Sequence, residues 1–157
     1  MQKTHLQCRE CKKEYDPTFK YICDECFGPL DVHYNFPSLT KNTFVNREQT
    51  YWRYFELLPI TDKSNIVSIS AGMTPLVKAE KLGKEIGLNN LYIKNDSVNP
   101  TFSFKDRPAG VAVSKAKEFG LGSVGCASTG NLAAATAAHA AKAGLPCYIF
   151  APSDIEH

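Results

Sequence analysis

A chain of 157 residues, 43% hydrophobic and 22% charged, has the composition of a globular protein with room for one core and a small appendage, neither disordered nor fibrous. A net charge of +2 without a basic cluster excludes the usual polyanion binder, so neither nucleic acid nor a membrane is an expected partner. Met1 to Cys8 lacks the apolar core of a signal peptide and no run approaches a membrane span, so a cytoplasmic location is expected, with six cysteines serving as thiols or metal ligands.

Residues 1–36 carry two CxxC pairs, Cys8-Arg9-Glu10-Cys11 and Cys23-Asp24-Glu25-Cys26, separated by eleven residues. Each pair can turn two thiolates toward one ion, and four thiolates leave no open coordination position, which makes the expected site structural. Zinc is the expected metal and iron its rival. So short a segment buries too little apolar surface to fold alone, so the metal would supply much of its folding free energy. Five basic groups (Lys3, Arg9, Lys12, Lys13, Lys20) face six acidic ones (Glu10, Glu14, Asp16, Asp24, Glu25, Asp31), and thiolates add negative charge. Such a ribbon is a poor phosphate binder and reads as a packing element.

Residues 37–90 approach the main domain. Pro37 to Asn46 reads as a polar linker, and Thr50 to Pro59 is dense in aromatics, with apolar side chains at 51, 52, 54, 55, 57 and 58. These cover most of a short helix, which implies burial on more than one side, in a packing role. Glu80 to Gly87 reads as a short lysine-rich helix closed by glycine.

Residues 91–157 alternate strand and helix. Leu91 to Asn95 has strand propensity, Asp96 to Pro100 is rich in turn formers, and Pro108 to Phe119 carries apolar or small residues at 109, 112, 113 and 116 before Gly120. Lys105 is thereby delivered at the mouth of a helix, where the positive end of the dipole favours the neutral, nucleophilic amine that covalent attachment of an aldehyde requires. Asn99-Pro100-Thr101-Phe102-Ser103-Phe104-Lys105-Asp106-Arg107 closely resembles the Asn-Pro-Thr-x-Ser-Phe-Lys-Asp-Arg motif of the threonine synthase family, within the tryptophan-synthase-like (fold type II) pyridoxal-phosphate enzymes. Gly72-Met73-Thr74-Pro75-Leu76 is similar to the segment that enters the large domain of these enzymes. The resemblance implies that Lys105 is the catalytic lysine and holds pyridoxal 5'-phosphate.

Beyond that helix, Ser123 to Ala127 reads as a short buried strand, Ser128 to Asn131 as a loop, Leu132 to Lys142 as an alanine-rich helix stopped by Gly144, and Pro146 to Ala151 as another strand. Strand, helix, strand implies parallel crossovers and an α/β fold, here a partial doubly wound parallel sheet preceded by a small zinc ribbon. Ligands in such sheets sit beyond the carboxyl ends of strands, where Ser128-Thr129-Gly130-Asn131 falls. On residues alone that loop is an ordinary helix cap or an anion cup. It resembles the family's Ser-(Ser/Thr)-Gly-Asn loop, which implies that Asn131 hydrogen-bonds the cofactor's 3′-oxygen and that Ser128 and Thr129 help bind the substrate carboxylate. The chain departs from the family pattern at Leu132, where a hydroxyl residue is frequent, at Phe102, where glycine is usual, and at Pro108.

Cys126 and Cys147 read as small buried hydrophobes and His139 as a packed residue. No glycine cluster forms the expected cradle for the cofactor phosphate, and Pro152-Ser153-Asp154 reads as the cap of a further helix. The expectation is an amino-terminal portion, about two-fifths of a family member by the resemblance, inactive alone, whose open sheet edges favour homo-oligomer formation. The resemblance implies an enzyme converting O-phosphohomoserine and water to threonine and phosphate. The rivals are cysteate synthase or an amino-acid dehydratase of the same family, or a non-catalytic zinc-binding interaction module.

Overall fold

In the computed structural model, which describes residues 4–154, the amino-terminal segment is a three-stranded antiparallel sheet. Strands β1 (Thr4–Cys8), β2 (Glu14–Tyr15) and β3 (Leu30–Tyr34) lie in the order β2-β1-β3, with Leu6 opposite both Tyr15 and Val32. The period of two along β1 buries Thr4, Leu6 and Cys8 on one face, so the first metal-ligand candidate is fixed by the same alternation that seats the strand.

A long irregular stretch follows, punctuated by 3-10 turns at Lys41–Phe44, Tyr51–Leu57 and Lys63–Asn65. The expected helix over 50–59 is therefore a 3-10 turn, kinked at Tyr54 and ended by extended Leu58 ahead of Pro59. Its expected packing role holds: buried Tyr51 and Trp52 form a core with Ile60 and Ala71, against which Phe55, Leu58, Ile66, Ile69 and Val111 pack. Aromatics crowded over one turn are accommodated by tighter winding because each must reach a different neighbour.

Strand β4 (Leu76–Lys78) and strand β5 (Tyr92–Lys94) pair antiparallel around helix α1 (Glu80–Glu85). The sequence pattern had β5 feeding a parallel crossover; instead it returns alongside β4, because the six-residue α1 makes a short excursion rather than a sheet-spanning one. Helix α2 (Asp106–Glu118), strand β6 (Val124–Ala127), helix α3 (Asn131–Ala143) and strand β7 (Cys147–Phe150) complete the order. Here the parallel crossover does form, Val124 pairing with Cys147 through to Ala127 with Phe150. This α/β unit, with its parallel pair, carries the fold class read from the sequence. No helix is long and apolar enough to cross a membrane among the described residues.

Helix α2 buries Asp106, Ala109, Gly110, Val113, Ser114 and Ala116, while Ala112, expected inside, is exposed. Helix α3 answers with Ala135, Thr136, His139 and Ala140 and ends at Gly144 in the left-handed conformation. Small residues on both sides let the helices approach closely. Helix α3 covers only one side of the parallel pair, so Tyr148 and Phe150 stay exposed, and Cys126 and Cys147 are half-buried rather than buried. The helix expected after Pro152 falls largely outside the described residues.

Gly110 would ordinarily weaken a helix interior by about 1 kcal/mol relative to alanine. A Cβ there would stand 2.1 Å from Tyr51 Oη and 2.8 Å from His139 Nε2, so the bare face of α2 is what admits both side chains. Overpacking costs about 1–3 kcal/mol and outweighs the propensity gain. Gly110→Ala should therefore lower the denaturant-unfolding midpoint despite improving helix propensity; an unchanged or raised midpoint would contradict this packing.

Candidate active site and metal centre

Lys105 immediately precedes α2 with its backbone already helical (φ −60°, ψ −19°), and its N–H donates to Ser103 Oγ at 3.2 Å. The side chain is half-buried, with Nζ 4.3 Å from the centre of the Phe104 ring. Among the described residues no carboxylate pairs with this amine. The carboxylate nearest to it in sequence is that of Asp106. Asp106 is instead fully buried and turned the other way: its carboxylate accepts from Thr101 N and Thr101 Oγ1, both at 2.8 Å.

The loop presenting Lys105 is tied down from three sides. Arg107 donates two parallel hydrogen bonds to Asp96, at 2.6 and 2.9 Å, and a further one to the Gly72 carbonyl at 3.2 Å. Thr74 Oγ1 donates to the same Asp96 at 2.6 Å. The Arg107 guanidinium, then the Thr74 hydroxyl, hold the Asp96 carboxyl below its ordinary pKa. Buried Asn99 accepts from Gly72 N at 3.0 Å and donates to the Asp96 carbonyl at 2.9 Å. Gly72, at φ +110°, adopts a conformation that L side chains avoid, and a Cβ there would meet Tyr51 at 2.8 Å. Asn99, Asp106 and Arg107 belong to the motif quoted from the sequence, yet no role could be read for them there, because their partners lie up to 35 residues away.

Phe102 sits in this loop at φ +59°, the left-handed region, with 81% of its surface exposed. The conformation explains why glycine suits the position. It also means that the ring gains little packing in return for the strain.

Ser128, Thr129 and Asn131 stand where the sequence placed them, between the carboxyl end of β6 and the start of α3. Gly130 is the N-cap and no side chain caps the helix, so the capping role open to these residues is not the one they play. Ser128 Oγ accepts from Gly130 N at 3.3 Å, while Thr129 and Asn131 are exposed. No hydrogen bond joins Lys105 to Ser128, Thr129 or Asn131. What they share is position: each heads a helix, and the two helices pack through Gly110 and His139.

The four cysteines of the ribbon do converge, all four Sγ atoms lying within 4.8 Å of one another. Their two knuckles repeat one geometry. Lys12 and Phe27, each following the second cysteine of its pair, take φ +63° and +57°. Each N–H returns to the carbonyl of the first cysteine at 3.1 Å. The Sγ atoms of Cys8 and Cys26 are 3.4 Å apart and those of Cys11 and Cys23 3.5 Å. A tetrahedral zinc with bonds of about 2.3 Å spaces its sulfurs by about 3.8 Å, so a small expansion admits the ion. Donation from the Tyr15 hydroxyl at 3.0 Å brings the Cys23 thiol down to about 6. Cys11 goes to about 12: a Lys13 N–H lowers it, but the sulfurs of Cys26, Cys23 and Cys8, with burial, outweigh that. Four crowded thiols cannot all ionise without a cation among them.

A family model described as pyridoxal-phosphate dependent enzyme matches residues 67–157, and the chain belongs to this family. It is 43% identical over 151 residues to the threonine synthase of Methanocaldococcus jannaschii, an alignment covering 93% of this chain and 37% of that protein. It is 42% identical over 152 residues to the threonine synthase of Methanosarcina acetivorans, covering 95% and 37%. The threonine synthase of Halalkalibacterium halodurans is 48% identical over 99 residues, 63% of this chain and 28% of the relative. The chain thus spans little more than a third of the length of the first two of these relatives.

Because Phe102 gains so little burial, Phe102→Gly should stabilise the fold by about 0.5–1 kcal/mol, the relief of left-handed strain exceeding glycine's unfolded-state entropy. Denaturant titration checks this, and a lowered stability would show that the ring packs in a way its exposure denies.

Proposed function

We propose that this chain is the lysine-bearing amino-terminal part of a pyridoxal-phosphate-dependent threonine synthase, whose whole form converts O-phosphohomoserine and water to threonine and phosphate. The observation that carries the reading is the Lys105 amine, free of any carboxylate, on a loop braced by Arg107, Asn99 and Asp106. The names of the aligned relatives support it.

The residues present fit the cofactor. An amine without an ion-pair partner and an exposed amide and hydroxyl not spent on capping are the groups that a pyridine aldehyde with a ring hydroxyl would use. When bound, the cofactor supplies the electron sink. Lys105 would hold it and, once displaced by the substrate amine, move protons at substrate Cα and Cβ while phosphate leaves from Cγ. Asn131 would orient the cofactor through its 3′-oxygen. Ser128 and Thr129, beside the first N–H groups of α3, would seat the substrate carboxylate. We further infer a cytoplasmic enzyme that self-associates, since all six cysteines are free thiols and the Tyr148–Phe150 strand leaves large apolar side chains exposed.

The whole enzyme should release phosphate from O-phosphohomoserine, with Lys105→Ala lowering the rate by at least about a thousandfold. The 157-residue chain alone should release none above that variant. Parallel assays with O-phosphoserine separate this reading from a cysteate synthase, because Lys105 and Asn131 serve the cofactor rather than the leaving group. Phosphate release that survives Lys105→Ala would overturn the assignment.

Zinc, held by Cys8, Cys11, Cys23 and Cys26, would fix the two knuckles and with them β1 and β3. One equivalent of zinc should copurify, and a strong chelator should unfold the ribbon. Cys26→Ser should lose the metal and the ordered signals of residues 4–34 while leaving α2 and α3 helical. Full ribbon order after metal removal would refute the role.

A further inference from the structure

Beneath the Lys105 loop lies a string of buried polar groups that the proposed chemistry does not use. Asp106 and His139 are both wholly inaccessible. His139 Nδ1 stands 2.9 Å from the Ala135 carbonyl and 3.9 Å from Asp106 Oδ1. Both neighbours are acceptors, so Nδ1 carries the hydrogen; it donates to the Ala135 carbonyl, and the Asp106 carboxylate lies just outside hydrogen-bond distance, facing the positive edge of the same ring. Asp106 in turn grips Thr101 by backbone and hydroxyl.

On the other side of the ring, His139 Nε2 and Tyr51 Oη are buried without partners. Both approach the bare face of Gly110, which places the two atoms within about 5 Å of each other. A hydroxyl donor and an imidazole acceptor at that separation are complementary, directly or through one water. The string therefore runs from the aromatic core through α3 to the head of α2 and ends in the loop that carries Lys105. His139 also shares its helix with Asn131.

We propose that His139 is a positioning residue for Lys105: from α3 it holds Asp106, and through Asp106 and Thr101 it fixes the helix head bearing Lys105 relative to the helix headed by Asn131. The inference rests on the reading of Lys105 as the cofactor lysine. An aliphatic residue of similar size would fill the space and leave the buried carboxylate with one fewer polar neighbour.

The test treats the 157-residue chain with pyridoxal phosphate, traps the adducts with borohydride, and maps them by peptide mass spectrometry, with exposed Lys142 as internal standard. The wild-type chain should label at Lys105 in preference to Lys142. His139→Leu should lower the Lys105-to-Lys142 ratio about tenfold in protein shown to be folded by circular dichroism, the scale of a sub-ångström to ångström misplacement of a reacting group. His139→Asn, which keeps a donor near the place of Nδ1, should retain most of the ratio. A ratio unchanged in His139→Leu, or reduced equally in both variants, overturns the positioning role. If His139→Leu does not fold, Thr101→Val cuts the far end of the string and decides the question by the same ratio, an unchanged value again being the overturning result. A wild-type chain that shows no preference for Lys105 overturns the cofactor reading itself, a failure distinct from insensitivity to His139.

Discussion

The pairing of Arg107 with Asp96 is the contact on which the lysine-bearing region depends. Two parallel hydrogen bonds fix the guanidinium plane, and the same guanidinium reaches the Gly72 carbonyl while Thr74 shares its carboxylate. Three stretches distant in sequence are thereby held at one point: residues 72–75, the turn 96–99 and the first turn of α2. Asn99 closes the arrangement: its side-chain oxygen accepts from the N–H of buried Gly72, which would otherwise lack a partner, and its amide adds a second donor to the Asp96 carbonyl that the Asn99 backbone N–H already serves. Neither partner of the ion pair is fully buried, so its value lies in geometry more than in net stability.

The ribbon solves the opposite problem. Its three short strands bury Thr4, Leu6, Cys8 and Cys23 but leave Phe19, Tyr21 and Phe27 largely exposed, too little core to define a fold by packing alone. What is well defined is the repeated knuckle, whose left-handed residues at Lys12 and Phe27 are strained positions held by matching backbone hydrogen bonds. Geometry is concentrated where a metal would act and slack elsewhere. An alignment covering 95% of the chain leaves room for only about eight unaligned residues, so it takes in most of this segment along with the residues that the family model matches.

How much of this was legible in the sequence depended on the range of the interactions. The cysteine cluster and the limits of α2 and α3 follow from local signals, two CxxC spacings and a 3.6-residue pattern closed by glycine, and the structure has them close to where they were read. The 3-10 winding of Tyr51–Leu57, the return of β5 beside β4 and the exposure of Ala112 were not legible, because each is decided by a neighbour across the fold. Gly110 is the clearest case. In sequence it is a poor helix residue; in the structure it is the gap through which Tyr51 and His139 enter. The motif at 99–107 announced a lysine, while the roles of Asp106 and Arg107 became readable only with Thr101, Asp96 and Gly72 beside them.

The site divides into a rigid floor and an open face, and the division bears on the chemistry proposed for it. Asn99, Ser103 and Asp106 are buried, whereas Phe102, Phe104, Thr129 and Asn131 are exposed. Proton transfers at a substrate carbon are protected only where water is kept away from the reacting atoms. A floor of this kind orients an amine but excludes nothing. On the proposed reading, keeping water out would take a further surface over this open face. Phe102 and Phe104 lie on that open face, Phe102 in a strained conformation that its own packing does not repay.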